Sequence, residues 1–448
     1  MQKAKLIDAN NLNAHLSNSY LVITCVYLML LSYFYNLPVL NYSLTGNNEF
    51  RLFDIAGFLL FYPFYSNKNL IISVIRNYSF FKTLYNFLLW ATFTLIFTFG
   101  YSFYEGNLVL GIQSVLYLFH FWTFFITAVF LFILIQNLVF LKTIVSVTLI
   151  LSCAAFTIVI LQNFEVIPFL WGDIYKTTYE GFLSGTLGPN KIVLGMTCLF
   201  IFIFALGLLN EKRVNVNKIL LLTTISISLI TLILSGSRTT YVGLLTFAIY
   251  YFFRDFVKFL YSIIFLFLAF LIISSVNKEI FEKLTAVYEY RIENKIRNPN
   301  SLKEARVDEL YEDLGAGRKE LSLMYIESLL NNAYMVPFGL GFNNRLLNDG
   351  TSAHNIYLSL IAEIGLVGLF FYLSWFISML KTRLPNFVQL EVAFHGLILA
   401  MLVTLFFGEH IYVYRTSFGL TGLFLFVSVI FVSPLHQINL FRSTEQSN

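Results

Sequence analysis

The chain has 448 residues, of which 58% are hydrophobic, 18% aromatic and only 12% charged. Soluble proteins carry about twice that share of charge, so a soluble globular chain and a disordered one are both excluded. The formal net charge of +4 is too small a surplus to point to nucleic acid, and the composition reads as an all-α, polytopic integral membrane protein.

A spanning helix takes about 20 apolar residues at ~1.5 Å each. That rule predicts about twelve spans, near residues 19–38, 52–66, 84–104, 109–135, 140–162, 190–209, 218–235, 239–254, 256–275, 355–380, 388–408 and 416–433. The first 18 residues are polar, and the apolar run behind them is long enough to stay in the membrane rather than serve as a cleaved signal. Cys25, Cys153 and Cys198 sit inside apolar runs and are odd in number, so they read as packing residues, not as a disulfide or zinc framework.

Charge placement tests the span count. With the N-terminus inside, the inner segments hold fourteen lysines and arginines, while the short outer loops hold four, Arg51, Lys176, Arg238 and Arg415. The positive-inside rule then puts both termini in the cytoplasm. Three regions follow: residues 1–275 with nine spans, an outer loop at 276–352, and residues 353–448 with the last three spans and a cytoplasmic tail. The loop has 77 residues, ten basic and twelve acidic. Loops of this length are usually functional or have structure of their own. In 318–330, Leu321, Met324, Tyr325 and Leu329 recur at helical spacing. Two or three short helices packed over the outer end of the bundle are expected.

The candidate chemistry lies at that outer end. SGSRTT at 235–240 joins two spans almost without a loop and holds Arg238 at the hydrocarbon edge. Ser235 or Ser237 suits a helix cap. An arginine beside a helix N-terminus suits a diphosphate, or else it snorkels to the surface. Arg318 follows the flexible Gly315-Ala316-Gly317 turn and reads either as an anion ligand or as a solvated charge. Arg291, Arg297 and Arg306 have the same standing. PFGLGFNN at 337–344 allows a tight backbone path through Gly339 and Gly341, and AHNIYLSLIAEIGLVG follows from 353. His354, at the head of span ten, has the chemistry of a general base or of a structural interfacial histidine. Glu363, about two and a half turns deeper, faces the bundle and either binds a partner helix or caps a polar network. Asp54, Lys191, Glu409, His410 and Arg415 are further polar positions near the outer face. The chain has no phosphate-cradling GxxxxGK[ST] motif and no HExxH or clustered Asp/His ligands.

Four stretches together resemble the O-antigen ligase and O-antigen polymerase superfamily of bacterial inner-membrane glycosyltransferases, in the family's order. SGTLGPNKIVLG at 184–195 is similar to its G-T-x-x-x-P-N region. SGSR at 235–238 follows. Then come Gly317-Arg318 with Pro337, Gly339 and Gly341. Last is HNxYLxxxxExGxxG, here His354, Asn355, Tyr357, Leu358, Glu363, Gly365 and Gly368. The chain departs from the family at Ser322, where Trp is frequent, and at Lys191, where an aromatic is usual.

The resemblance implies a GT-C-like helical fold and transfer of a glycan from undecaprenyl diphosphate at the periplasmic face of the inner membrane. It implies that Arg238 and Arg318 hold the diphosphate and that His354 positions or deprotonates the acceptor hydroxyl. It implies substrate contacts at Asn190, Lys191, Gly339, Gly341, Asn355, Tyr357 and Glu363. The reaction would be inverting, without metal, ATP or other cofactor. The acceptor is a lipid-linked repeat unit for a polymerase, the favoured reading, or lipid A core for a ligase. The rival from another class is a secondary transporter. Against it, no inverted repeat is evident, and the polar residues gather at one face rather than at mid-membrane.

Overall fold

The computed structural model describes residues 16–41, 49–171, 185–188, 190–211, 216–254, 256–257, 260–261, 264, 318–345, 352–384, 387–412 and 418–432. Most of the ninth expected span lies outside the described residues. So do Arg291, Arg297, Arg306, the Gly315–Gly317 turn, Lys176 and Arg415.

The helices are α1 (Ser19–Phe34), α2 (Leu52–Leu59), α3 (Phe61–Ser66), α4 (Lys68–Asn77), α5 (Ser79–Tyr104), α6 (Leu108–Leu134), α7 (Leu138–Asn163) and α8 (Lys191–Asn210). They continue as α9 (Lys218–Leu234), α10 (Arg238–Arg254), α11 (Arg318–Asn331), α12 (Ile356–Leu380), α13 (Val388–Thr404) and α14 (Phe418–Val432). Six of them are long and apolar enough to cross a bilayer: α5, α6, α7, α8, α12, and α13 with the 3₁₀ turn that extends it to Phe407. Shorter apolar helices occupy Ser19–Phe34, Leu52–Ser66, Lys218–Leu234 and Gly419–Val432, where four more spans were expected. The eighth expected span is α10, 17 residues long, its apolar character diluted by Thr239, Thr240 and Thr246. The protein is thus a helical membrane protein.

Among the described residues one feature departs from the all-helical expectation. Strands β1 (Pro38–Asn41) and β2 (Glu49–Arg51) pair antiparallel, with Pro38 opposite Arg51. Pro38 has no N–H to continue a helix, so the chain leaves α1 extended. Just beyond β2, Asp54 accepts the Arg51 backbone N–H at 2.7 Å and hydrogen-bonds the His120 imidazole of α6, pinning α2 to the bundle.

Two helices form the centre. α8 is buried along almost its whole length and touches α9, α10, α13 and α14. α6 is buried from Leu118 onward except at Phe119 and Trp122 and packs on α5 and α14. α5 in turn carries α12.

The feature that shapes the site is a break in α12. Gly365 has φ 73° and ψ 179°, a conformation that L side chains rarely adopt. The break frees backbone groups inside the bundle, where each would be costly unpaired. The segment 336–342 supplies partners. Leu340 donates to the Ala362 carbonyl at 3.0 Å, Gly341 to that of Glu363 at 2.7 Å, and Leu366 to that of Val336 at 2.8 Å. The Trp90 indole of α5 donates to the Ile364 carbonyl at 2.8 Å. The approach is too close for side chains: a Cβ on Gly365 would sit 2.3 Å from the Pro337 carbonyl oxygen. Thr98 of α5 donates to the Phe342 carbonyl at 2.8 Å, and Asn343 donates from Nδ2 to Ser114 Oγ of α6 at 3.0 Å.

This corrects one expectation. The end of the outer loop does not lie over the bundle; residues 337–344 enter it. Glu363 sits about 10 Å along α12 from its first residue, at ~1.5 Å per residue. The segment descends to that level because only backbone can fill a broken helix.

Candidate active site

Three helix N-termini meet at one end of the bundle, each built by a polar cap. Asn190 caps α8, its side chain accepting from Ile192 N at 2.8 Å. Ser237 Oγ accepts from Thr240 N at 3.4 Å and from Thr240 Oγ1 at 2.9 Å at the head of α10. Asn355 caps α12, accepting from Tyr357 N at 3.0 Å and Leu358 N at 3.4 Å. Gly195, one turn into α8, brings the first two together: a Cβ there would stand 2.3 Å from Thr240 Oγ1 and 2.9 Å from Ser235 Oγ. Below them Gly243 of α10 rests on Leu199 of α8 and Thr404 of α13.

Helix N-termini carry partial positive charge. Lys191 is the first residue of α8 and Arg238 the first of α10, adding two formal charges at the same end. Helix N-termini and cations in this arrangement suit an oxyanion such as a phosphate.

Beside the α8 terminus lies a cavity of about 90 Å³, lined by Asn190, Ile192, Ser352, His354, Gly408, Glu409 and His410. His354 stands in the left-handed region at φ 50° and donates its backbone N–H to Ser352 Oγ at 3.2 Å. Its side chain is exposed and lines the cavity. His410 is buried and its Nε2 lies 3.1 Å from Thr404 Oγ1. Tyr357 ties the two walls, donating its hydroxyl to the Leu402 carbonyl at 2.6 Å with its ring 4.4 Å from that of Phe406.

Beneath the cavity Arg345 bridges two buried carboxylates. Its Nε donates to Glu363 Oε1 at 3.0 Å and its Nη2 to Glu409 Oε2 at 2.7 Å. Glu363 Oε2 accepts the Asn343 backbone N–H at 2.8 Å, and Glu409 Oε1 accepts from Ser359 Oγ. This clamp joins three chain segments: the entering loop, α12 and the connection after α13. Charge-assisted bonds of this type are roughly twice as strong as neutral ones.

The structure therefore distributes the candidate residues among different tasks. His354 and Asn190 line the cavity, with Lys191 next in sequence. Arg238 opens α10 through the turn that touches Gly195, though it is not among the cavity's lining residues. Arg318 is the first residue of α11, a helix that buries Tyr325 and Leu329 against Ala353 and Ala362 and so sits beside the start of α12. Gly339 and Gly341 shape the break, Asn355 is a cap, Tyr357 a tether, and Glu363 half of the clamp. Arg345 and Ser359 were not anticipated. The available signal was an arginine directly after PFGLGFNN, on a segment rich in backbone constraint. Glu409 and His410 read only as polar positions near the outer face.

A family model described as O-antigen ligase matches residues 223–373. The match begins within α9 and ends in α12, so it includes SGSR, Arg318, Arg345, His354 and the broken helix, while Asn190, Glu409 and His410 fall outside it. No curated protein and no solved structure matches the chain. Over residues 223–373 this helical membrane protein is thus similar to the O-antigen ligase family, and that match supports the O-antigen ligase and polymerase superfamily, whose members transfer glycans.

Proposed function

We propose that the protein transfers a glycan from an undecaprenyl-diphosphate donor to a sugar hydroxyl at the periplasmic face of the bacterial inner membrane, as a repeat-unit polymerase. The observation that carries this reading is the cavity that sets His354 beside the capped α8 terminus, at the end of the bundle where α10 also begins. A base and an anion site side by side are what the reaction needs. The acceptor O–H gives its proton to the His354 imidazole as the oxygen attacks the anomeric carbon. The bond from that carbon to the diphosphate oxygen breaks, and undecaprenyl diphosphate leaves from the opposite face, inverting the configuration. Arg238, Arg318 and the helix N-termini take up the growing charge on the diphosphate, the oxyanion-type contribution. A well-placed base adds about 10²–10⁴-fold. The glycosyl diphosphate is already activated, so the step requires neither ATP nor a resident cofactor. Entry of the 337–344 segment seals the bundle beneath the cavity, which limits loss of donor to water.

The test is complementation of a gene-deletion strain with His354→Ala and Arg238→Ala, read on a surface-glycan gel. Both proteins should insert normally and yield no long-chain glycan; wild-type ladders from both overturn the proposal. In the deletion strain itself, a single attached repeat identifies a polymerase. Loss of every attached repeat identifies a ligase acting on lipid A core instead. Solute movement by the purified protein in vesicles, with no glycan product, would identify a transporter.

A further inference from the structure

All four carboxylate oxygens of the clamp face donors: Arg345 twice, the Asn343 backbone N–H and Ser359 Oγ. Each oxygen is placed to accept, the role of a carboxylate oxygen. One guanidinium is set between two carboxyl groups, so the formal charges of the cluster sum to one negative charge. Glu363 is completely buried, but Glu409 lies in the wall of the cavity that His354 shares.

We infer that Glu409, held by Arg345 and Ser359, is the electrostatic partner of His354 and stabilises the imidazolium that forms when His354 takes a proton. The inference rests on the reading of His354 as the base. Glu409 is a positioning residue in this role: its own oxygens are occupied by Arg345 and Ser359, so it acts through charge and not through proton transfer.

The neighbourhood of His354 explains why such a partner is needed. The α8 terminus with Lys191, the α10 terminus with Arg238, and the α12 terminus capped by Asn355 all present positive potential at this end of the bundle. His410 is a second imidazole in the same wall. The helix termini and the two cations oppose protonation of His354, while the same positive field favours a bound diphosphate. Of the clamp residues, Glu409 is the one that lines the cavity, so its charge acts on His354 at the shortest range. It offsets the field at the base while leaving the anion site on the α8 and α10 side intact.

The experiment is histidine-selective NMR titration of the full-length protein in detergent micelles, with the His354 signal assigned by its loss in His354→Ala. The probe is pH alone, so the result does not depend on any glycan being a substrate. Glu409→Gln keeps the side-chain shape and removes the charge: its amide oxygen can accept from Arg345 while its NH2 donates to Ser359 Oγ, which turns to accept. The His354 midpoint should fall by roughly half a pH unit in that variant, the size expected for one charge acting across a partly solvated gap. Glu363→Gln, which also cancels the excess charge, should lower it in the same direction and carries the test if Glu409→Gln does not fold. An unchanged or higher midpoint in a folded variant overturns the inference while leaving the glycan-transfer reading to the complementation test. Wild-type ladders in both His354→Ala and Arg238→Ala cells overturn that reading while leaving the electrostatic pairing measured.

Discussion

Gly341 gives its backbone N–H to the Glu363 carbonyl at 2.7 Å, a bond that replaces one the broken helix α12 cannot make for itself. The entering segment and the break are therefore one structure. Gly365 at φ 73° lets α12 open, and Gly339 at φ 77° lets the segment lie in the opening, where a Cβ would meet the Glu363 carbonyl oxygen at 2.3 Å.

Replacing either glycine should prevent this assembly. Gly365→Ala places a methyl group 2.3 Å from the Pro337 oxygen and forces a side chain into a backbone conformation that disfavours it. The neighbouring atoms are backbone and have nowhere to go. Folded protein recovered from membranes by detergent size-exclusion should drop to a small fraction of wild type. Gly100→Ala is the control, since its Cβ would meet nothing within 4 Å and alanine favours a helix. Equal recovery of the Gly365→Ala and Gly100→Ala proteins contradicts the account.

Arg345→Ala leaves Glu363 and Glu409 buried without their cation. Breaking a buried pair by removing one partner costs about 3–5 kcal/mol, and here one arginine serves two carboxylates. Thermal unfolding in detergent should show a large drop in midpoint. Arg345→Lys should recover only part of it, because an ammonium lacks the planar fork that reaches both carboxylates. Wild-type stability in Arg345→Ala would mean the clamp does not hold these segments together.

How much of this was legible in the sequence depends on the length scale of each interaction. The apolar runs for α5 to α8 and α12 to α13 stand out because a bilayer-spanning helix needs a long local pattern. The caps at Asn190, Ser237 and Asn355 are local too, each reaching two or three residues along. The path of PFGLGFNN was legible only as permission, since two glycines allow close approach without saying what is approached. Arg345 was illegible as a clamp because its partners come from distant segments, Glu363 in α12 and Glu409 beyond α13. Such pairing is set by the packing of α12 against α5 and α13. The small hairpin at 38–51 was missed for a similar reason: four- and three-residue strands are too short for an alternation signal.

Asn355 tests whether a family-motif residue acts on the substrate or on its own helix. Its side chain accepts from two backbone donors, as an N-cap does. Asn355→Ala should cost about 0.5–2 kcal/mol, and Asn355→Asp or Asn355→Ser should restore most of that, since each caps nearly as well. If the cap is its whole contribution, glycan product in cells will follow stability across the three variants. Loss of product in Asn355→Asp at wild-type stability would instead assign it a substrate contact.

Gly195 offers a way to move Arg238 without touching it. In Gly195→Ala the new methyl group would lie 2.3 Å from Thr240 Oγ1 and 2.9 Å from both Thr240 Cβ and Ser235 Oγ. The turn 235–240 must retreat from α8, taking the head of α10 and Arg238 with it. Overpacking of this sort costs about 1–3 kcal/mol. Misplacement of a group near the chemistry by ~1 Å is enough to cost about 10²-fold in rate. Long-chain glycan in complemented cells should therefore fall sharply while membrane levels of the protein stay near normal. Thr240→Ala removes the closest atom, so Gly195→Ala combined with Thr240→Ala should regain part of the product. A Gly195→Ala strain with a wild-type ladder would show that the contact between the two helix N-termini does not set the geometry of Arg238.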